Sequence, residues 1–271
     1  MKEKIKHHIS VALCFMKLAI QRQLEYPKFL IFWFVGIPIQ YFAGVWMLVV
    51  ITQKFQPLNG WSFPEITFLY GLSLLSHGMM VVLFVQTWHI PYNVIRGGFD
   101  RMLLRPMSVL FHFCVQNFNF IGLIDMIPGA VIFLYGCKIS GFSWNFFNII
   151  KLVLVLAGAV LIRASFYSLL GCTAFWTRSS NYLASMGEVI LERTTMYPLS
   201  IYPYAFQIIF TFIMPLGFIS FYPASDFLGK NCGLGLPLNV ALLTPVVGIV
   251  MFIIAGCVFK AGLKKYESSG S

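Results

Sequence analysis

Residues 29–51 read FLIFWFVGIPIQYFAGVWMLVVI and contain no charged side chain. At a rise of about 1.5 Å per residue, a helix of this length crosses the roughly 30 Å hydrocarbon core of a bilayer. Apolar stretches of similar length recur along the chain and predict five further spans. The six predicted spans cover residues 29–51, 66–85, 109–135, 149–176, 203–221 and 240–259. The sequence therefore predicts an all-α membrane protein with six transmembrane helices and short loops.

The composition favours this class over a soluble or nucleic-acid-binding protein. Hydrophobic residues make up 59% of the 271 residues, charged residues make up 10%, and the mean hydropathy is +0.81. A soluble domain carries roughly 25% charged residues. The formal net charge of +10 is spread over the ends of apolar segments without a dense basic run. We therefore expect a lipid bilayer, and no nucleic acid, as the surroundings of this chain.

The chain divides into three predicted regions. In residues 1–28, apolar side chains recur at helical spacing with most basic residues off that stripe, which predicts an amphipathic helix on the membrane surface. Residues 29–260 hold the six spans, and residues 261–271 form a tail. Lys and Arg are retained on the cytoplasmic side of short loops. Because most of them fall at the two termini and in even-numbered loops, we predict that both termini are cytoplasmic.

Asp125 and Arg163 are the only formally charged side chains deep inside the predicted spans. Each costs about 2.5–3.5 kcal/mol near the bilayer centre unless a partner offsets the charge. Residue counting from the span ends places the two at similar depth, so we predict an intramembrane ion pair. The pair either fixes helix packing or lies on a substrate or proton path. Glu188 and Glu192, in the predicted cytoplasmic connection, are interpreted as a solvated helix face, with an acid–base pair as the alternative.

The chain lacks the sequence patterns of the common enzyme sites. Its His and Cys residues show no metal-ligand spacing, and neither GxSxG nor GxxxxGK[ST] is present. Without the second pattern, the chain has no P-loop to hold the phosphates of ATP, so any ATP dependence must come from a partner. We therefore predict no catalytic, cofactor-binding or metal-binding residues in this chain.

The polar loop between the second and third predicted spans reads IRGGFDRMLLRP at residues 95–106. Its glycines, basic residues and final proline predict a compact cytoplasmic protrusion with polar and apolar faces, suited to a groove on another protein. We call it the protruding segment. Its pattern GxxDxxLxRP resembles the signature of ABC-2-type transporter permeases, in the small six-span branch. The defined positions of that pattern are Gly97, Asp100, Leu103, Arg105 and Pro106. Residues 192–203 and 215–224 are similar to the same branch.

This resemblance implies the ABC-2-type exporter transmembrane fold in a bacterial plasma membrane. It also implies a complex of two permeases, identical or paralogous, with two ABC ATPase subunits that bind ATP and Mg²⁺ in place of this chain. Residues 1–28 would be the connecting helix of that fold. Nine residues of the protruding segment are implied to couple the chain to the ATPases: Gly97, Gly98, Phe99, Asp100, Arg101, Leu103, Leu104, Arg105 and Pro106.

Proline and glycine residues in and after the fifth predicted span indicate a broken backbone near the outer face. Such backbone is tolerated in a membrane only where protein or water lines it. We expect an outer gate at residues 222–238, and the candidate gate residues are Pro215, Gly217, Tyr222 and Pro223. Two other functions stay open at this point. One is an ATPase-independent secondary transporter or channel with Asp125 as its ion-responsive residue, and the other is a membrane scaffold.

Overall fold

A computed structural model of the protein describes residues 2–54, 58–105, 108–115, 119–177, 181–230, 234 and 238–267. These residues form helices joined by short connections, and no strand occurs among them. The α-helices are α1 (Lys2–Leu24), α2 (Pro27–Lys54), α3 (Phe63–Phe84), α4 (Ile90–Ile95), α5 (Asp100–Leu103), α6 (Val109–Val115), α7 (Ile121–Ser140), α8 (Phe146–Cys172), α9 (Ala174–Thr177), α10 (Asn181–Met196), α11 (Tyr204–Ile208), α12 (Phe221–Phe227) and α13 (Thr244–Leu263). The prediction of an all-α membrane fold is confirmed.

Five stretches are long and apolar enough to cross a membrane. They are Pro27–Lys54, Phe63–Ile95, Ile121–Ser140, Phe146–Thr177 and Val240–Leu263. They correspond to predicted spans one to four and span six. The break between α1 and α2 falls at Glu25–Tyr26, close to the predicted boundary of the N-terminal helix, whose position on the membrane surface stays a prediction.

The predicted fifth span is wrong, because residues 203–221 do not form one helix. The chain there runs through α11, a π-helical turn at Ile209–Ile213 and a 3-10 turn at Leu216–Phe218 before α12 begins. Pro215 ends the helical run, since a proline has no N–H to donate and disfavours helical geometry in the residue before it. Met214 accordingly has φ −119° and ψ 86°, outside the helical region.

The bundle has two distinct ends. One end holds α4, α5, α9 and the residues after α13, and it exposes Arg96, Arg101, Arg105, Lys264 and Lys265. We call it the basic end. The opposite end holds the connection between α2 and α3.

Helix α10 runs from the basic end to the centre of the bundle, where Thr195 in its last turn contacts Arg163 of α8. It follows α9 in the chain, and just beyond its last residue the carbonyl of Ser200 accepts a hydrogen bond of 2.6 Å from Asn59 Nδ2 in the α2–α3 connection. Residues 181–196 of the predicted cytoplasmic connection therefore form a helix that packs inside the bundle. With 16 residues, α10 extends only about 24 Å. Its low hydropathy and short length concealed it in the sequence.

Residues 204–230, which we call the re-entrant segment, enter the bundle and return to the opposite end. At its innermost turn, Ser220 Oγ donates to the carbonyl of Thr195 on α10 at 2.7 Å. At its end, Lys230 Nζ donates to the carbonyl of Gly60 at 2.6 Å. The bond between Asn59 and Ser200, just before the segment, and the bond between Lys230 and Gly60 place its entry and exit on the same side of the molecule.

Two helix pairs pack backbone against backbone. A Cβ built on Gly136 of α7 would lie 2.7 Å from Phe68 Cα of α3, and one on Gly158 of α8 would lie 2.6 Å from the carbonyl of Thr244 on α13. Small residues at such crossings let helices approach closely in a membrane. The bundle is therefore built from an α3–α7 pair and an α8–α13 pair.

Candidate functional site

The protruding segment forms a tight turn at the basic end. Gly97 has φ +68°, a left-handed conformation that glycine adopts without steric cost. The next amide, that of Gly98, donates to the carbonyl of Asn93 at 2.8 Å, and any side chain on Gly98 would collide with the Asn93 side chain. The paired glycines therefore allow the chain to reverse between α4 and α5.

The predicted coupling residues separate into an outward and an inward group. Leu104 is 87% exposed and Leu103 is 49% exposed, and the exposed Arg101 and Arg105 flank them. Phe99, in contrast, is fully buried. Its ring faces the protein interior, and the coupling role implied for Phe99 stays a prediction.

The other predicted coupling residues take intermediate positions. Gly97 and Gly98 are half-buried, and Asp100 is half-buried where its Oδ1 accepts a hydrogen bond of 2.9 Å from the Tyr266 hydroxyl. Burial and the bond to Asp100 raise the pKa of Tyr266 to about 12. Pro106 lies outside the described residues. Asp100 and Tyr266 thus connect the protruding segment to the chain after α13.

Arg105 also anchors this end to α6. Its Nη1 donates to His112 Nε2 at 2.8 Å. Burial, together with the positive charge of Arg105, lowers the pKa of His112 below its usual value. A neutral imidazole is required as the acceptor, so protonation of His112 would break this contact.

A second set of polar residues, which we call the polar cluster, lies inside the bundle around Arg163 of α8. Arg163 is fully buried, and its Nη1 lies 3.0 Å from Glu192 Oε1 on α10. Its other nitrogens donate to hydroxyl and carbonyl oxygens of α3 and α10: Ser73 Oγ at 2.7 Å, Ser73 O at 3.1 Å, Ser76 Oγ at 3.1 Å and Thr195 Oγ1 at 3.2 Å. A buried guanidinium is tolerated when its donors are satisfied in this way.

The predicted ion pair between Asp125 and Arg163 is wrong. Asp125 Oδ1 accepts a hydrogen bond of 2.9 Å from the Tyr41 hydroxyl of α2, while Arg163 pairs with Glu192. Residue counting gives the depth of each side chain but not its direction around the helix axis. Asp125 faces α2, whereas Arg163 faces α3 and α10.

The sequence did not predict four members of the polar cluster: Ser73, Ser76, His77 and Thr195. His77 Nδ1 lies 3.0 Å from Glu192 Oε1, so Glu192 is shared by Arg163 and His77 and is not part of a solvated face. The signal in the sequence was spacing, since Ser73, Ser76 and His77 share one face of α3. In the part of the chain that the structure describes, no group of three or more His, Cys, Asp or Glu is arranged to hold a metal ion.

The candidate gate residues meet in the re-entrant segment. The Tyr222 hydroxyl and Thr211 Oγ1 are hydrogen-bonded at 2.6 Å, and a Cβ on Gly217 would lie 2.8 Å from the Tyr222 ring. Pro223 is buried in the first turn of α12, and Pro215 ends the preceding helical run. Residues 231–233 and 235–237 of the predicted gate lie outside the described residues. A gating role for this turn stays a prediction.

Two ion pairs hold the re-entrant segment at the opposite end of the bundle. Lys230 Nζ lies 2.8 Å from Glu65 on α3, and Lys151 Nζ on α8 lies 2.7 Å from Asp226. The segment is thus attached both to the α3–α7 pair and to the α8–α13 pair.

A family model described as ABC-2 family transporter protein matches residues 38–270 of the chain. The chain belongs to this family. A search of curated proteins and a search of solved structures each returned no match. Family membership confirms the resemblance seen in the protruding segment and makes this chain a multi-pass membrane protein of a transport system.

In this ABC-2 family protein, the match includes the protruding segment, the polar cluster and the re-entrant segment. It begins after α1 and within α2, so the N-terminal helix lies outside the matched residues. The three sites therefore belong to the part of the chain that the family shares, and they occupy the basic end, the centre and the opposite end of one bundle.

Proposed function

We propose that this chain is the permease subunit of an ATP-driven exporter and forms half of a translocation pathway. The observation that carries the proposal is the surface of the protruding segment, where Leu103 and Leu104 are exposed between Arg96, Arg101 and Arg105. An apolar tip surrounded by guanidinium groups fits a groove on a soluble protein with an acidic rim. Separate ABC ATPase subunits, which would bind ATP and Mg²⁺, are the proposed occupants.

The charge distribution supports the orientation that this coupling requires. Lys and Arg side chains are retained on the cytoplasmic side of membrane proteins. The basic end carries the three exposed arginines of the protruding segment, and Lys264 and Lys265 after α13. We therefore place the basic end, with both termini, in the cytoplasm and the re-entrant segment toward the outer side. By family resemblance the membrane is a bacterial plasma membrane.

A second permease is proposed to cover α10. Its exposed face carries Glu188 one helical turn from Glu192, together with Tyr182 at 80% and Met186 at 66% exposure. A carboxylate facing lipid at this depth costs about 2.5–3.5 kcal/mol, whereas water or a protein partner removes that cost. Capture of one tagged copy by another would identify the second permease as identical. Dependence of the assembly on a different six-span chain would identify it as a paralogue.

Cross-linking from the protruding segment tests the coupling. In a cysteine-free background, Leu104→Cys would be treated with a bifunctional maleimide reagent in membranes of the producing cells, followed by photolabelling with an azido-ATP probe. We expect an adduct that carries the ATP label. The matched control is Lys138→Cys, which is also exposed but lies at the C-terminal end of α7, at the opposite end of the bundle.

Absence of an ATP-labelled adduct from correctly folded Leu104→Cys protein would overturn the proposal. An ion flux carried by the purified chain alone in proteoliposomes would do so as well, in favour of an ATPase-independent transporter or channel. A labelled adduct from Lys138→Cys of equal yield would show that the Leu104 result is not specific to the basic end.

A further inference from the structure

The buried ring of Phe99 lies among four aromatic rings from three other parts of the chain. The ring-centroid distances are 5.4 Å to Phe113 of α6, 5.6 Å to Phe175 of α9, 5.7 Å to Phe259 of α13 and 5.8 Å to Tyr266 beyond α13. Tilted and edge-on aromatic pairs at such distances contribute beyond the area that they bury. We call these five residues the aromatic joint.

The four neighbours of Phe99 also pack against one another. Phe259 lies 5.7 Å from Phe175 and 5.9 Å from Phe113, again between ring centroids. Close backbone approach supports the contact, because a Cβ on Gly262 of α13 would collide with the Phe175 ring. The protruding segment is therefore seated by side chains on the ends of α9 and α13.

Asp100 provides a directional bond next to this apolar contact. The Tyr266 hydroxyl donates to Asp100 Oδ1 at 2.9 Å while the Tyr266 ring packs on Phe99. Tyr266, which follows α13, thus contacts both Phe99 and Asp100 of the protruding segment. The raised pKa of Tyr266 keeps this donor protonated over the whole physiological range.

The chain that connects α3 to the protruding segment is not a continuous α-helix. Helix α3 ends at Phe84, whose φ of −134° and ψ of 20° are not helical, and Val85–His89 continues as a 3-10 helix. A short 3-10 stretch within a long helical run often marks a hinge. Displacement of Leu104 by a partner would bend the chain at this break. The aromatic joint, in contrast, connects the protruding segment directly to α13.

Helix α13 and its partner α8 extend to the re-entrant segment at the other end of the bundle. Thr244, the first residue of α13, donates from Oγ1 to the carbonyl of Phe218 at 3.4 Å. Lys151, near the start of α8, pairs with Asp226 of α12. The α8–α13 pair therefore contacts the aromatic joint at its basic end and the re-entrant segment at its opposite end.

We propose that the aromatic joint transmits movement of the protruding segment to the α8–α13 pair and through it to the re-entrant segment, with Tyr266 as the positioning residue. This inference rests on the proposed coupling to ATPases. Tyr266 sets where the protruding segment sits relative to α13 and touches neither nucleotide nor substrate. Phe99 serves the same joint from the other side.

The test uses the complete complex with its ATPase subunits in lipid nanodiscs and needs no known substrate. A single cysteine at Leu228 of the re-entrant segment, in a cysteine-free background, reports accessibility to a membrane-impermeant maleimide with and without ATP. Tyr266→Phe removes only the hydroxyl. The control is Tyr92→Phe, the same change on an exposed tyrosine of the basic end.

We expect Tyr266→Phe to retain the ATPase subunits and ATP hydrolysis but to reduce the ATP-dependent change in labelling. The reduction should be roughly fivefold, the factor in an equilibrium constant that one ordinary hydrogen bond supplies. Tyr92→Phe should match the parent. Asp100→Asn keeps an acceptor oxygen for Tyr266 and should preserve the change in labelling, whereas Asp100→Leu should behave like Tyr266→Phe.

Each other outcome is decisive. An unchanged labelling response in Tyr266→Phe and Asp100→Leu, with intact assembly, would overturn the joint and leave the proposed function standing. If the parent protein does not bind the ATPase subunits, or if its labelling does not change with ATP, both the proposed function and the joint would be overturned. Phe99→Leu supplies a second variant, and its thermal unfolding midpoint would separate loss of folding from loss of transmission.

Discussion

Replacement of Arg163 by Leu is the sharpest test of the polar cluster. The side chain is fully buried and donates to Glu192, to both oxygens of Ser73, and to the hydroxyls of Ser76 and Thr195. Removal of one member of a buried pair costs about 3–5 kcal/mol, because the remaining charge is left without compensation. For a chain of this size, that loss lowers the thermal unfolding midpoint by roughly 6–20 °C.

A double-mutant cycle identifies the partner of Arg163. In detergent-solubilised protein followed by a thermal unfolding assay, Arg163→Leu combined with Glu192→Leu should recover at least about 1.5 kcal/mol relative to the sum of the single losses. The cycle with Asp125→Leu should give a coupling energy below about 0.5 kcal/mol, since Asp125 bonds to Tyr41. The control is Arg193→Leu, an exposed arginine next to Glu192, with an expected change within about 0.5 kcal/mol.

Strong coupling of Arg163 to Asp125, or additive losses for Arg163 and Glu192, would refute the arrangement described above. The first result would support the ion pair between Asp125 and Arg163 that residue counting predicts. The second would mean that Glu192 is not held by Arg163 in the membrane.

Three further predictions concern packing, the Asp125 contact and pH. Gly136→Ala should lower the unfolding midpoint because its Cβ would meet backbone atoms of α3 at 2.7 Å, while Gly36→Ala, with nothing within 4 Å, should leave it equal or higher; equal effects would contradict the close packing. Tyr41→Phe should cost about 1 kcal/mol through loss of its bond to Asp125, and a neutral result would contradict that bond. Because the pKa of His112 is lowered in the folded protein, the unfolded chain binds the proton first, and stability should fall as pH drops below 6.5. His112→Gln should show a smaller loss between pH 7.5 and pH 5.5, measured as the difference in unfolding midpoint, and an equal loss would assign the effect to other groups.

The sequence predicted most of the fold because a long uncharged apolar run leaves few alternatives. It failed at α10, where Glu188, Glu192 and Arg193 made a helix inside the bundle resemble a solvated connection. The apolar run at residues 203–221 predicts a fifth span, although Pro215 breaks it. Local composition ranks segments by hydropathy, but a helix of low hydropathy can lie inside a membrane bundle when it buries its charges against neighbouring helices.

The sites show a similar division between what local sequence encodes and what packing decides. The protruding segment was recognised from its glycines and basic residues, because turn formation and charge are local properties. The inward direction of Phe99 depends on α9 and α13, which lie far away in the sequence. The partner of Arg163 likewise depends on how α10 is rotated against α8, which no spacing within either helix specifies.

The glycine contacts within the α3–α7 and α8–α13 pairs have a consequence for how the molecule moves. Backbones in direct contact at these crossings leave little room for side chains to re-pack there, so each pair should move as one stiff slab. Between the slabs, Arg163 of α8 reaches Ser73 and Ser76 of α3 through hydrogen bonds that can exchange partners one at a time. Shear along this boundary is therefore the large displacement with the lowest free-energy cost for the subunit. Spectroscopic probes placed across the boundary would detect this motion, whereas probes within either slab would not.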